Sequence, residues 1–86
     1  MYNLYIHWNT EKSEILKQTR GISFEEVMEG ELITVLSHPA KINQRILVFE
    51  YNDYCWAAPC VIEGDIVFLK TLYPSRKLTK IYLNQE

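Results

Sequence analysis

Residues 45–62 read RILVFEYNDYCWAAPCVI, which is two apolar runs separated by Asn52-Asp53. An Asn-Asp pair between apolar runs is typical of a two-residue turn. We therefore expect Arg45–Tyr51 and Tyr54–Ile62 to form an antiparallel β-hairpin. Pro59 interrupts the second run. Because a central strand tolerates proline poorly, we expect a bulge or a sheet edge there.

One strand is predicted directly after the hairpin. Glu63-Gly64-Asp65 predicts a turn, and Ile66–Tyr73 then reads as a strand. The first half of this strand is apolar on both faces, which is typical of a central strand that is covered on both sides. Lys70 and Tyr73 indicate that its second half emerges toward solvent.

Two helices are predicted before the hairpin. Asn9 and Gly21 are suitable N-cap and C-cap residues for a helix over Thr10–Arg20. Ser23 opens a second helix with a capping box, because Glu26 stands three residues later. Apolar residues at helical spacing predict the buried face of this second helix, and they are Phe24, Val27 and Met28.

The remaining strands complete the fold class. Tyr2–Trp8 alternates as a strand would, with Leu4, Ile6 and Trp8 inward, and Leu32–Leu36 is a short apolar strand. Because consecutive strands joined by short turns pair antiparallel, we expect an α+β fold. It would be an antiparallel sheet of about four to five strands with two N-terminal helices and a short C-terminal helix, the helices lying on one face. Residues 1–86 suffice for a single domain.

Composition excludes several classes of protein. With 48% hydrophobic and 23% charged residues, the chain is expected to be globular rather than disordered. No apolar stretch approaches the roughly 18–20 residues that span a bilayer, and no basic leader precedes the first strand. We therefore expect a cytoplasmic protein with no membrane association.

The cysteines and histidines predict no disulfide and no metal site. Cys55 and Cys60 lie five residues apart in one predicted strand, so their side chains point to opposite faces. Two buried thiols are the simpler interpretation. His7 and His38 stand far apart, and no spacing typical of a zinc site occurs.

Charge is unevenly distributed along the chain, whose net charge is −2. Residues 1–65 carry five Lys and Arg against ten Asp and Glu, a net of −5, whereas residues 66–86 carry four against one, a net of +3. A basic end on an acidic body is either a focused site or a surface for an acidic partner.

The basic end begins with Ser75, the predicted N-cap of a helix over Arg76–Leu83. Cations in a first turn are unfavourable by roughly 0.3–1 kcal/mol each, yet Arg76 and Lys77 follow Ser75 directly. Because free N–H groups at a helix N-terminus attract anions, these residues can form a phosphate site. The alternative is that they are solvated surface residues. The apolar face of the helix is predicted to hold Leu78, Ile81 and Tyr82.

Three segments resemble the BrnT-like family of the RelE-like toxin group. Members typically open with an aromatic-Asp/Asn-x-x-Lys segment, as at 8–12, followed by Gly-hydrophobic-Ser-Phe-Glu-Glu, as at 21–26. They end with Ser/Ala-Arg-Lys-x-Thr and a tyrosine, as at Ser75–Thr79 and Tyr82. Members often have Lys-His before the glycine, where this chain has Thr19-Arg20. RelE-like nucleases also tend to be basic overall, whereas this chain has a net charge of −2.

The resemblance implies the toxin of a type II toxin–antitoxin system, a metal-independent ribonuclease that inhibits translation. It implies RNA as the substrate and a cognate antitoxin of the ribbon-helix-helix DNA-binding type, with operator DNA bound only through that partner. No cofactor is implied. The departures from the family pattern keep open a non-catalytic relative that only binds such a partner. An unrelated small α+β domain is the third possibility.

Metal-free RNA cleavage needs activation of a 2′-OH, stabilisation of the phosphorane and a proton for the leaving oxygen. Arg76 suits the phosphorane, because its planar fork pairs two phosphate oxygens. Tyr73 can transfer a proton or stack on a base, and His7 is a second proton carrier. Lys70 and Lys77 are expected to add charge at the catalytic site, together with Arg76 and Tyr73. The residues expected to bind RNA phosphates are Ser75, Lys80 and Arg20. For His7, His38, Lys70 and Tyr73 an ordinary surface, turn or core-edge role is the alternative.

Overall fold

A computed structural model describes residues 5–83 of the chain. The strands are β1 Tyr5–Trp8, β2 Glu31–Ser37, β3 Gln44–Tyr51, β4 Tyr54–Glu63, β5 Ile66–Leu69 and β6 Tyr73–Pro74. The helices are α1 Thr10–Arg20, α2 Phe24–Val27 and α3 Arg76–Leu83. The predicted order of elements is confirmed, except that the strand after the hairpin ends at Leu69 and resumes as β6. Leu4 lies outside the described residues, whereas Ile6 and Trp8 pack against the core as predicted.

The strands form one sheet in the order β1-β5-β4-β3-β2, with β6 also paired to β4. All neighbours are antiparallel except β1 and β5, which are parallel. The chain leaves β1 through both N-terminal helices and returns beside it only after the hairpin. The α+β class is confirmed, but the sheet is mixed rather than wholly antiparallel.

The hairpin turn is the one that the Asn-Asp pair predicts. Asn52 and Asp53 have φ of 53° and 61°, the left-handed conformation that a two-residue turn between twisted strands requires. From this turn β3 and β4 pair without a register shift, from Tyr51 opposite Tyr54 to Gln44 opposite Val61. The hairpin is the centre of the sheet.

Pro59 lies inside the central strand β4. The bulge is opposite it, in the segment between β5 and β6. The carbonyl of Pro59 accepts a hydrogen bond from the Lys70 amide at 2.8 Å. The position where Pro59 lacks an N–H therefore also faces the segment between β5 and β6. Between the pairs Cys60–Leu69 and Ala57–Tyr73, β4 contributes two residues and its neighbour three. The proline is tolerated because no ladder hydrogen bond is demanded of it at this irregularity.

Both N-terminal helices begin, and α1 also ends, where the capping residues predict; α2 ends at Val27, so Met28, predicted on its buried face, lies just beyond it. The Asn9 side chain accepts from the Lys12 amide at 3.0 Å, and Gly21 ends α1 with φ of 79°. The capping box of α2 is complete, with the Ser23 hydroxyl and the Glu26 carboxylate both engaged. Local hydrogen bonding therefore determines where these helices start.

One face of the sheet, called here the first face, is covered by α1 and α2. The buried cluster there consists of Leu16, Ile22, Phe24, Val27, Leu47, Phe49, Ala58, Cys60, Val67, Leu69 and Leu72. The buried Ser13 hydroxyl joins the two helices, since it donates to the Glu25 carboxylate and accepts from the Phe24 amide at 2.9 Å. The buried Ser13 hydroxyl is thus fully hydrogen-bonded within the contact between the two helices.

The opposite face, called the second face, is covered only in part. Val48, Cys55 and Ala57 have the opposite side-chain parity to the first cluster and are fully buried. The helix that packs against β4 there is α3, with Thr79 buried. The prediction that all helices share one face is wrong for α3. Ile81, predicted to lie on the apolar face of the C-terminal helix, is 55% exposed.

Candidate functional site

The first turn of α3 is fastened to β4 by two hydroxyl residues. The Ser75 amide donates to the Cys55 carbonyl at 2.9 Å, and its hydroxyl accepts from the Leu78 amide at 3.1 Å. The Thr79 hydroxyl accepts from the Cys55 amide at 2.9 Å and donates to the Ser75 carbonyl at 2.7 Å. Ser75 is thus the N-cap that the sequence predicts, and both hydroxyls hold the helix in place.

The three cations of α3 lie on one exposed side of that helix. Arg76 and Lys80 are about one turn apart, and Lys77 is displaced from Arg76 by about 100°. All three side chains are exposed, whereas Thr79 points toward β4. Among the described residues, none of them pairs with a carboxylate. The motif therefore divides into two anchoring hydroxyls and a solvated cationic surface.

Tyr73 and Lys70 lie on the second face, between this helix and β5. Tyr73 stands opposite the buried Ala57 and is 38% exposed. Lys70 is exposed beside Pro59. The distance along β4 from Pro59 to Cys55, the residue to which the start of α3 is hydrogen-bonded, is about 13 Å. The structure therefore puts Lys70, Tyr73 and the cations of α3 in one row on the same side of the sheet.

Arg20 does not belong to this row. It ends α1, which covers the first face, and its guanidinium donates to the Leu72 carbonyl in the segment between β5 and β6. Because this segment lies between two strands, strand pairing does not supply a donor to each of its carbonyls. The Arg20 guanidinium satisfies the carbonyl of Leu72. The role that the structure shows for Arg20 is to tie α1 to the chain that leads into Tyr73.

The two histidines occupy different settings. His7 is exposed on β1 opposite Phe68, which puts it on the second face. The Nδ1 of His38 accepts from the Ala40 amide at 3.1 Å, as a turn residue would. Of the two, His7 lies on the same face as Lys70.

The cysteines are buried on opposite faces, as predicted. Cys55 faces α3 and Cys60 faces the first cluster, and both are free thiols. Burial raises the pKa of each thiol above its ordinary value, which disfavours the nucleophilic thiolate. Across the part of the chain that is described, no three or more of the usual ligating side chains are grouped to hold a metal.

A depression on the second face escaped the sequence analysis. It has a volume of about 330 Å³ and is lined by Val61, Glu63, Ile66, Phe68 and Lys70. Ile66 and Phe68 are 46% and 42% exposed, so the prediction that β5 is covered on both faces is wrong. β5 is central, but its apolar residues on the second face lie beyond the area that α3 covers.

No helix formed by residues 5–83 has the length and apolarity that crossing a bilayer requires. No protein-family model and no curated protein matches the chain. Among solved structures, the crystal structure of the Brucella abortus ribonuclease toxin BrnT is similar to it, with a TM-score of 0.56. The similarity covers 85% of this chain and 97% of that chain at 15% sequence identity, and the chain therefore has the BrnT-like α+β fold.

Proposed function

We propose that the protein is the toxin of a type II toxin–antitoxin pair and that it inhibits translation by cleaving RNA without a metal ion. The observation that supports this most is the row of exposed cations that a BrnT-like fold presents on α3. A ribonuclease toxin of similar fold provides the precedent, and the unpaired charge provides a means of holding a phosphate.

Arg76 is the residue that we assign to the reacting phosphate. As the 2′-oxygen bonds to phosphorus and the bond to the 5′-oxygen breaks, negative charge builds on the non-bridging oxygens. A guanidinium can donate two parallel hydrogen bonds to those oxygens. Lys77 and Lys80 add charge from the same side of α3, and Lys70 extends it along the sheet. The Ser75 hydroxyl is an N-cap, so its part is to hold Arg76 in position.

Proton transfer to the leaving oxygen is assigned to Tyr73, on the second face. The 2′-OH must lose a proton and the leaving 5′-oxygen must gain one. Tyr73 precedes α3 on this face and carries a hydroxyl that can donate to the leaving oxygen. His7 is exposed on the same face but stands beside Phe68, about 20 Å along the sheet from Cys55, where α3 is fastened. This separation is too large for a general base, so in this scheme solvent water accepts the proton of the 2′-OH.

The partner that we propose is an antitoxin of the ribbon-helix-helix type, through which the pair would bind operator DNA. Its docking would need to cover the cations of α3 or the row leading to them, because these are the residues that contact RNA in this scheme. An acidic segment of the partner would complement them.

A second candidate function is a non-catalytic protein that only binds such a partner. The observation that favours it is Arg20, which occupies the position where the family often has histidine and is engaged by the Leu72 carbonyl. A guanidinium cannot exchange protons at neutral pH. The net charge of −2 also weakens general attraction to RNA.

Induced expression in bacteria separates the two functions. The wild-type chain should arrest growth, and Arg76→Ala should relieve the arrest. Lys41→Ala removes one exposed cation from the loop between β2 and β3 and should leave the arrest intact. Purified wild-type protein should cleave RNA in excess EDTA, with Arg76→Ala at least about a hundredfold slower. No arrest and no cleavage, together with a stable complex with the product of a neighbouring gene, would favour the non-catalytic function.

A further inference from the structure

The depression on the second face is open and largely apolar, and of the residues assigned to the chemistry only Lys70 borders it. Phe68 lies at its middle, opposite Val61 on β4, and Ile66 is its apolar neighbour along β5. Glu63 and Lys70 are the two charged residues of its lining. An exposed aromatic ring on a sheet face beside a cation is a combination that single-stranded nucleic acids use for stacking.

We infer that this depression binds one unpaired nucleobase of the RNA, stacked on Phe68, and that it prefers guanine. The inference rests on the proposed function, because it takes RNA to be the substrate. It adds a base-binding subsite that is separate from the cations of α3.

Size and charge favour a nucleobase over a protein partner at this position. A volume of about 330 Å³ is at the lower end of what small ligands occupy. Lys70 supplies the positive charge that a nucleotide requires, and the same face continues through Tyr73 to the cations of α3.

The positions of the two charged residues indicate the base. Lys70 lies beside Pro59, which is four residues from Glu63 on β4. The two charged residues are therefore about 13 Å apart along the strand. A nucleotide lying along the depression puts the edge of its base near Glu63 and its phosphate near Lys70. A carboxylate only accepts hydrogen bonds. Guanine offers two adjacent N–H donors on its pairing edge, whereas the other three bases offer a donor beside an acceptor.

The subsite is far enough from Arg76 to be tested independently. Phe68 stands opposite Val61, which is six residues from Cys55, or about 20 Å along β4. Cys55 is where α3 is fastened. Changes at Phe68 should therefore alter affinity and base preference without removing the group assigned to the reacting phosphate.

The test is fluorescence anisotropy with the full chain and labelled 2′-O-methyl RNA hexamers, which bind but cannot be cleaved through the 2′-oxygen. Hexamers of adenine carrying a single guanine, cytosine or uracil report the preference. Phe68→Leu should weaken binding of the guanine hexamer roughly tenfold, because it keeps apolar bulk but loses stacking. Phe68→Tyr should bind as the wild type does. Glu63→Gln should remove the preference for guanine and leave binding of the adenine hexamer unchanged.

Ile15→Ala is the matched control, since Ile15 is 53% exposed on α1 and should not affect binding. Thermal unfolding of each variant verifies that it is folded. Equal affinity of wild type and Phe68→Leu would overturn the inference, as would a preference that survives Glu63→Gln. A wild-type dimer that Phe68→Leu dissociates would instead make this face an interface between copies.

The same variants separate this inference from the proposed function. If Arg76→Ala abolishes cleavage while Phe68→Leu leaves affinity unchanged, the base subsite is wrong and the ribonuclease stands. If the wild type cleaves no RNA, yet guanine hexamers still bind through Phe68, the proposed activity is wrong and the base subsite stands.

Discussion

Single residues in this chain divide into those that hold the structure and those that are left to solvent. Ser75 and Thr79 anchor α3 to the backbone of Cys55, whereas Arg76 and Lys77, between them in the same motif, make no ion pair within residues 5–83. A helix start normally avoids cations. Their exposure here is therefore the residue-scale feature that a structural role does not explain.

Gly30 is required by close packing rather than by its backbone angles. A Cβ at this position would lie 2.1 Å from the carbonyl oxygen of Glu50 and 3.2 Å from that of Val27. Both contacts are with backbone, which cannot move aside as a side chain can. We expect Gly30→Ala to reduce the free energy of unfolding by about 1–3 kcal/mol, measured by urea denaturation. Glu29→Ala, at the exposed neighbouring position, should change it little, and equal stability of the two variants would contradict this account.

The two thiols should be inert in the folded protein. Cys55 and Cys60 are fully buried, and burial raises the pKa of both. We expect a thiol reagent at neutral pH to modify neither cysteine until denaturant is added, after which both should react. Rapid modification of the folded chain would show that β4 opens more readily than its central place in the sheet implies.

At the scale of elements, the contact between α1 and α2 is held by polar groups as much as by apolar packing. The Ser13 hydroxyl bridges Glu25 and the Phe24 amide, and the Trp8 indole donates to Glu25 at 2.9 Å. Lys17 and Glu26 form an ion pair at 2.8 Å. These contacts fix the two helices to each other, and Trp8 ties α2 to β1.

These contacts make the stability of the helix pair dependent on pH. Hydrogen bonds from Ser13 and Trp8 lower the pKa of Glu25, and Lys17 lowers the pKa of Glu26. A carboxylate whose pKa is lower when folded than when unfolded stabilises the fold above its unfolded value, here 4.5, and loses that contribution as the pH falls further. The urea midpoint should therefore decline below about pH 4.5.

Glu25→Gln combined with Glu26→Gln should reduce that decline, because an amide does not titrate. Glu14→Gln, at an exposed position of α1, should keep the wild-type dependence. A double variant that loses as much stability in acid as the wild type would exclude this helix pair as the source.

For the whole molecule, the dominant feature is an acidic body that carries a basic end. The net of −5 over residues 1–65 opposes RNA, and the net of +3 over residues 66–86 attracts it. The sheet has helices on both faces, and the row from Lys70 to α3 lies on the face that is only half covered. Binding should therefore depend on few phosphate contacts.

The salt dependence of RNA binding measures those contacts. For single strands, the logarithm of affinity falls with the logarithm of salt by about 0.7 per neutralised phosphate. Arg76→Ala with Lys77→Ala should lower that slope by roughly 1.4 if each side chain contacts one phosphate. Lys41→Ala should leave it unchanged. A slope that the double variant does not alter would remove α3 from the binding surface.

Much of the fold was predictable because its signals are local. Asn9, Gly21, Ser23 and Ser75 mark helix ends through hydrogen bonds to residues at most four positions away. The Asn52-Asp53 turn sets the register of the central hairpin in the same way. The cationic side of α3 was visible too, because a short helix period places Arg76, Lys77 and Lys80 together.

Tertiary structure decided what depends on contacts between distant segments. Three features follow from how the finished sheet packs. They are the parallel pairing of β1 with β5, the position of α3 on the second face and the hydrogen bond from Arg20 to the Leu72 carbonyl. The exposed depression around Phe68 has the same origin, since a strand apolar on both faces does not reveal which face a helix will cover. The sequence alone determined the elements, their caps and the basic end. Only the packed sheet determined which apolar residues are left open beside it.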